Sequence, residues 1–324
     1  MKAIPILAAI LGCFVVAVLV VDIGPKPVAQ AVATIGWLGF SAVCLIHLVM
    51  IVGMGFAWRA VMTATPSWVF VWGRLVRDAG SEILPFSQFG GLVLGARAVT
   101  LAGLPTPAAV ASTIVDVTLE FVSKLAYLLL GLLWLVHLSS QSPLLLPLSI
   151  SLAVSAAAAT ALVAVQRRGF GLLERFGSAL ARGWTDQLVA GAAVLRDALA
   201  QIYRRKSGLW AGFLIHLGCW IASSIEVWAA LHLAGAAFDF GTVLVIESLL
   251  YGIRTIGFAI PNAVGVQEAA YVFIGAGFGL TPELALAVSF MKRARDLAIG
   301  LPTLALWQAV ESRRLWRRRL GMRP

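Results

Sequence analysis

Runs of apolar residues, about twenty at a time, dominate the chain and recur near 4–21, 32–56, 106–137, 144–165, 209–234 and 282–308. A helix of about twenty residues covers a hydrocarbon core of roughly 30 Å, so each run predicts a membrane span. The first run continues apolar to Val21, which favours a retained span over a cleaved secretion signal. Two further regions, 64–104 and 240–280, are apolar but interrupted. Their breaks read "LPFSQFGGLVLGAR" at 84–97 and "IPNAVGVQEAAY" at 260–271. Proline interrupts the helical hydrogen-bond ladder, and broken backbone at membrane depth is tolerated only where protein buries it or water reaches it. Both stretches therefore predict re-entrant elements. Pro85, Gly90 and Gly91 are the expected hinge of the first, and Pro261 and Gly265 that of the second.

A shift of 176 residues lays Pro85 on Pro261, Gly103 on Gly279, Leu104 on Leu280, and the span 32–56 on 208–232. It also lays Asp116 and Glu120 on Lys292 and Asp296. The order of elements repeats with the letters: span, mixed segment, Pro/Gly stretch, "GL" break, long span with buried charge. The positive-inside rule then places both termini and the Arg-rich connector on the cytoplasmic side if each interrupted region is re-entrant from opposite faces. The expected fold is all-α and integral to the membrane, with about six full spans plus two re-entrant Pro/Gly elements in inverted-topology repeats. It is one polytopic domain over 1–324. Repeat A covers about 32–137, the basic connector about 167–206, repeat B about 208–313, and a basic tail 313–324.

Composition agrees. The 324 residues are 60% hydrophobic and only 12% charged, where a soluble domain holds about half and a quarter. The net charge of +10 gathers at Arg167–Lys206 and Arg313–Arg323, beside apolar spans, which suits anionic headgroups rather than nucleic acid. Apolar residues in the connector recur at helical spacing, as expected of helices lying in the interface. Cys13, Cys44 and Cys219 lie in apolar runs as small hydrophobes, and no two of the four histidines stand at i,i+4, so neither metal nor cofactor is expected. No nucleophile elbow, P-loop or metal-binding helix motif occurs.

The chemistry lies in charges inside spans. Asp116, Glu120 and Lys124 follow i,i+4,i+8 spacing on one helical face. A charge at the bilayer centre costs about 2.5–3.5 kcal/mol on insertion scales, so such residues face protein or a wet cavity. The stretch "FMKRARDLAIGLP" places Lys292, Arg293, Arg295 and Asp296 near mid-span, with Gly300 and Pro302 expected to bend the helix. One carboxylate cannot serve three bases, so an arginine there needs another anion: Glu268, Glu120 or a lipid phosphate. Arg97 and Glu268 are the charges carried by the interrupted stretches, and Asn262 and Gln267 add uncharged donors and acceptors. Two readings stay open, structural ion pairs or the polar wall of a substrate or proton path. Glu226 and Glu247 are read as helix-holding acids, the latter with Arg254 as its partner. Gly91-xxx-Gly95 and Gly275-x-Gly277-x-Gly279 are read as close-packing surfaces, and the tryptophans at 68, 72, 307 and 316 as interface anchors.

The stretches "LPFSQFGGLVLGARAVTLAGL", "IVDVTLEF", "IPNAVGVQEAAYVFIGAGFGL" and "KRARDLAIGLPTLALWQAVESRR" resemble the hopanoid-biosynthesis-associated membrane proteins of bacteria. That group is similar to a branch of the lysylphosphatidylglycerol synthase transmembrane, or flippase-like, superfamily. The resemblance implies a multi-pass protein of the bacterial inner membrane that moves or presents a polar lipid, a hopanoid or its precursor among the candidates, without covalent chemistry. It carries over Glu268 and Arg293 first and Glu120 next, with no synthase activity. Membrane lipids and lipid-biosynthesis enzymes are the implied partners. Two alternatives stand beside it: a scaffold for lipid biosynthesis, and a membrane enzyme using Glu268 or Glu120 as acid or base.

Overall fold

The computed structural model describes residues 3–62, 65–83, 87–138, 145–166, 186–256 and 261–319. Among them it is all-α, with eleven α-helices and no strands. They are α1 (Ala3–Ile23), α2 (Pro25–Ala60), α3 (Ser67–Ile83), α4 (Ser87–Leu101), α5 (Thr106–Leu138) and α6 (Leu145–Ala164). After the connector come α7 (Asp186–Arg204), α8 (Lys206–Leu233), α9 (Phe240–Ile256), α10 (Val266–Ala276) and α11 (Pro282–Arg319), with a 3₁₀ turn, Pro261–Ala263, between α9 and α10. Three helices are long and apolar enough to cross a membrane by length and composition: α2, α5 and α8. Shorter apolar stretches lie at Ile10–Ile23, Gly90–Leu101 and Leu152–Ala164. Large apolar side chains such as Trp37, Leu38, Val93, Leu146, Trp210 and Phe273 point outwards, as lipid-facing positions do. The chain is a multi-pass membrane protein.

The two interrupted regions resolve into helix pairs. In the first, α3 packs along α4, so the pair begins at Ser67 rather than near 81. Gly91 permits the approach: a Cβ there would lie 2.0 Å from Ser81 Oγ and 2.5 Å from the Arg77 carbonyl oxygen. Gly90 and Gly91 sit inside α4, not at a break, which corrects their expected hinge role. Pro85 lies outside the described residues. In the second region α9 packs against α10, and the turn between them runs through Asn262 and Ala263, both with positive φ (49° and 48°). Gly265 follows at φ 82° as the N-cap of α10, against the Gly12 backbone of α1. Only glycine holds that left-handed conformation without a Cβ penalty.

The packing pattern has an internal order. Exchange α2, α3, α4 and α5 with α8, α9, α10 and α11, and the neighbour relations among these eight helices map onto themselves. The pairs α3–α11 and α9–α5 correspond, as do α2–α11 and α8–α5, while α2 and α8 meet each other. The largest apolar core joins α2, α5, α8, α9, α10 and α11 around Leu249, Leu250, Val243, Ile274 and Leu286-adjacent Ala287 and Val288. A second lies around Trp58, Phe70, Val115, Leu199 and Ile202, so α7 is packed against α5 through its apolar face rather than merely resting at an interface. Residues 167–185 of the connector lie outside the described residues. Trp68 and Trp316 are exposed, whereas Trp307 is buried against Val76 and Ala98 and is no surface anchor.

Candidate functional site

Helix α3 delivers two arginines into the bundle. Arg74 and Arg77 are only 4% and 3% exposed, although their sequence context suggests charges of a cytoplasmic loop. Their partners come from α5, whose i,i+4 spacing points Asp116 and Glu120 at them. Arg74 Nη1 donates to Glu120 Oε2 at 2.7 Å and its Nε to Asp78 Oδ2 at 2.7 Å. Arg77 Nη1 donates to Asp116 Oδ2 at 2.6 Å, and its Nη2 donates to Glu120 Oε2. Lys124 reaches Glu120 Oε1 at 3.1 Å, the helical ion pair its spacing predicts. His216 of α8 closes the group, with Nε2 2.9 Å from Asp116 Oδ1 and the ring fully buried. Asp116 is therefore no spare acid. Each carboxylate has more than one polar partner, which a buried charge requires.

The second group lies on α8 to α11. The interrupted stretch positions Glu268 at the N-terminal turn of α10, where Oε2 accepts the Gly265 backbone N–H at 2.8 Å and complements the helix start. Arg293 of α11 grips the same carboxylate, with Nε to Oε1 at 2.5 Å and Nη2 to Oε2 at 3.1 Å. It also donates to the Asn262 and Ala263 carbonyls at 3.4 Å each. Gln267 donates to Ser289 Oγ at 2.8 Å, and Ser289 to Glu268 Oε1 at 2.9 Å. One turn away, Lys292 Nζ meets Glu247 Oε2 at 2.7 Å, and Tyr271 donates its hydroxyl proton to Glu247. Lys292, not Arg254, is the partner of Glu247. Arg254 stands 3.6 Å from Glu82 and donates to Asn262 Oδ1 at 3.3 Å. Arg295 donates to Glu226 and to Asp296 Oδ1, and His47 Nδ1 lies 3.3 Å from Glu226 Oε2.

A ladder of rings joins the groups. Lys124 Nζ sits 4.5 Å from the Trp220 ring centroid, Trp220 meets Tyr251 edge-on at 4.5 Å, and Lys292 Nζ is 5.4 Å from the Tyr251 centroid. Cations over aromatic faces in a dry interior gain up to about 2 kcal/mol each. The ladder runs through α5, α8, α9 and α11, so helices of both halves contribute to one polar band. A separate apolar cavity of about 260 Å³ lies to one side, lined by Val115, Thr118, Val163, Tyr203 and Lys206 among others.

The expected residues are thus partly gathered. Glu268, Arg293, Gln267 and Asn262 form one group, and Asp116 and Glu120 another. The two acids of α5 do not face Glu268; they are satisfied by α3, α8 and Lys124. Asp296 takes Arg295 rather than Lys292 or Arg293. Arg97 stands apart at the surface, 42% exposed and 2.8 Å from Glu311. Cys13 is exposed, Cys44 half-buried and Cys219 buried, all as free thiols. Among the described residues no group of three or more histidine, cysteine or acidic side chains is placed to hold a metal ion. Among the contributors that escape sequence reasoning are Arg74, Arg77, His47 and His216. The i,i+3 spacing of the two arginines, in an amphipathic segment that also carries Asp78 and Glu82, is the signal that would find the first pair.

The family described as "Lysylphosphatidylglycerol synthase TM region" matches residues 6–302. No curated protein and no solved structure matches the chain.

Proposed function

The chain belongs to the lysylphosphatidylglycerol synthase TM-region family, a membrane domain associated with lipid-related functions, and from that premise we propose that it moves a polar lipid between leaflets without covalent chemistry. The observation that carries this reading is the buried polar band assembled from both halves of an otherwise apolar bundle, from Asp116 and Glu120 through the Lys124–Trp220–Tyr251–Lys292 ladder to Glu268 and Arg293. Such a band offers a headgroup alternative partners at its Lys292, Glu268 and Arg293 end while the tails stay in lipid, and its Asp116 and Glu120 end holds the helices around them. Each ion pair that opens to admit a phosphate or hydroxyl is replaced by charge-assisted hydrogen bonds of similar strength.

The two halves act as inverted repeats that rock about the α2–α8 contact to expose the band to one face and then the other. The exchangeable neighbour pattern supports this, as does the matched position of the two interrupted regions. A bacterial inner membrane with both termini cytoplasmic is the setting that the basic connector and tail favour. Hopanoids, their precursors or another polar lipid are the cargo, and lipid-biosynthesis enzymes the neighbours that supply it.

Reconstitution into liposomes tests the reading. Labelled lipid should exchange between leaflets faster with the protein than without it, and Glu268→Gln and Arg293→Gln should each remove most of that gain while the protein stays folded. No acceleration for any lipid class, with native thermal unfolding, sinks the transporter. For the arrangement of halves, cysteines introduced singly at Ala236 and Leu320 in a background without native cysteines should label from opposite faces. Labelling from one face rules out the inverted repeat.

A further inference from the structure

In the second charge group the acids and bases do not pair off evenly, and the remainder falls on a histidine. Lys292 closes on Glu247, Arg293 on Glu268 and Arg254 on Glu82. Arg295 alone serves two carboxylates: it donates to Glu226, and its Nε and Nη2 lie 3.0 and 2.6 Å from Asp296 Oδ1. One guanidinium against two acids, Glu226 buried and Asp296 11% exposed, leaves a negative charge uncompensated, which a low-dielectric interior penalises. The other oxygen of Glu226 faces His47 Nδ1 at 3.3 Å. No other base lies within ion-pair distance of Glu226 among the described residues.

Charged groups from three helices surround His47. From α8 comes Glu226, from α11 Arg295 and Asp296, and its own helix adds Cys44 one turn away. Behind these stand Lys292 and Tyr251, near enough to act on Glu226 and Arg295, and on the α3 side Glu82 lies within electrostatic reach of Asp296 and Arg295. Histidine is the side chain whose ordinary pKa falls in the physiological range. The His47 side chain is 21% exposed, so protein alone does not seal it. The other histidine–carboxylate contact differs on both counts. His216 is fully buried, and its group already balances three bases (Arg74, Arg77, Lys124) against three acids (Asp78, Asp116, Glu120).

We propose that His47 is a proton-binding site and that its proton is a co-substrate moving with an anionic lipid headgroup. This rests on the transporter reading above. The coupling runs through Arg295. A headgroup phosphate that draws Arg295 from Glu226 leaves that carboxylate to His47, which then holds its proton more tightly; by linkage, protonated His47 raises the affinity for the phosphate equally. The proton enters at Nε2 while Nδ1–H donates to Glu226 Oε2. When the headgroup leaves, Arg295 returns and the proton is released.

The test uses the full chain in liposomes with labelled phosphatidylglycerol as the anionic probe, labelled phosphatidylcholine as the net-neutral control, and protein-free vesicles as blank. At one proton per lipid, each unit of imposed pH gradient should shift the steady-state leaflet ratio of the anionic probe about tenfold. The neutral probe should not respond. His47→Gln should lose the response of the leaflet ratio to the gradient, whatever its rate of lipid movement, and Glu226→Gln serves the same end if the first variant does not fold. Lipid movement indifferent to the gradient overturns the proton coupling and leaves the transporter standing. If no lipid moves at all, the transporter reading fails. The site is then decided by NMR titration of labelled histidine in nanodiscs. A His47 resonance titrating between pH 5 and 8, and shifting when phosphatidylglycerol is added, sustains the proton site; one that does not titrate overturns it.

Discussion

Two charge networks occupy corresponding places in the fold and are wired with opposite signs. The eighth residue of α3 is Arg74, and the eighth of α9, a helix of equal length, is Glu247. The eleventh residue of α5 is Asp116, and the eleventh of α11 is Lys292. In the first half bases on the short helix meet acids on the long one; in the second half the roles reverse. The first network is closed, with Glu120 and Asp116 each held by several donors. The second is built around broken backbone, where Arg293 holds both Glu268 and two carbonyls of the turn. A bundle assembled for stability alone has no need of such an interrupted element. On the transporter reading proposed above, the first network holds helices together and the second meets the headgroup.

Substitutions that attack each network should separate these roles. The largest loss of stability is expected for Arg77→Met, which leaves Asp116 and Glu120 short of a cation in the dry interior. Stripping one partner from a buried pair costs about 3–5 kcal/mol, read as a large fall in the thermal unfolding midpoint in detergent or nanodiscs. Glu268→Gln should cost less stability, since an amide oxygen in place of Oε2 still accepts from Gly265 and Arg293 Nη2 and the Arg293 side chain is 19% exposed, but should remove most lipid movement. Equal stability losses for the two would erase the distinction. Next comes packing between α3 and α4. Gly91→Ala forces a Cβ into Ser81 and the Arg77 carbonyl and should destabilise by about 1–3 kcal/mol. Its neighbour Gly90, with nothing within 4 Å of a Cβ, should gain about 0.5–1 kcal/mol as alanine. Opposite signs at adjacent residues would confirm that Gly91, and not Gly90, serves the packing of α3 on α4.

Smaller effects lie at the rim. Asp239 caps α9, with Oδ1 accepting the Gly241 N–H at 2.7 Å and Oδ2 accepting from the Thr242 hydroxyl. The Thr242 hydroxyl bond, and then the backbone N–H bonds, hold its carboxyl below the ordinary aspartate value. A depressed folded pKa means that this stabilisation is present at neutral pH and is lost as pH falls below about 4. Asp239→Ala should cost about 1 kcal/mol at pH 7, and the difference from the native chain should vanish in acid. Arg97→Ala, at an exposed pair with Glu311, should change stability by less than about 1 kcal/mol.

The helical, membrane-bound character was legible because apolar runs of spanning length leave few other folds open. Glu120–Lys124 was legible because helical spacing encodes it, and Glu268–Arg293 because each sits in a conspicuous polar interruption whose charge needs a partner. Arg74 and Arg77 were hidden by a rule that is sound on average: basic residues near the end of a span usually face the cytoplasm, and only packing of α3 against α11 and α4 turns these inwards. The histidine contacts were invisible for another reason. His216 and Asp116 are 100 residues apart and His47 and Glu226 are 179 apart, so no periodicity within one element links them. Gly91 shows the same limit. A helical glycine between apolar residues fits a hinge or a close contact equally well until the opposing helix is in place.

The central claim, that the second network meets a lipid headgroup while the first holds the bundle together, is tested most directly by leaflet exchange of labelled lipid in proteoliposomes containing native chain or Glu268→Gln. The account predicts accelerated exchange for the native protein and its near-complete loss in the variant, at an unfolding midpoint close to native. Exchange that is undiminished in a folded Glu268→Gln protein would contradict it.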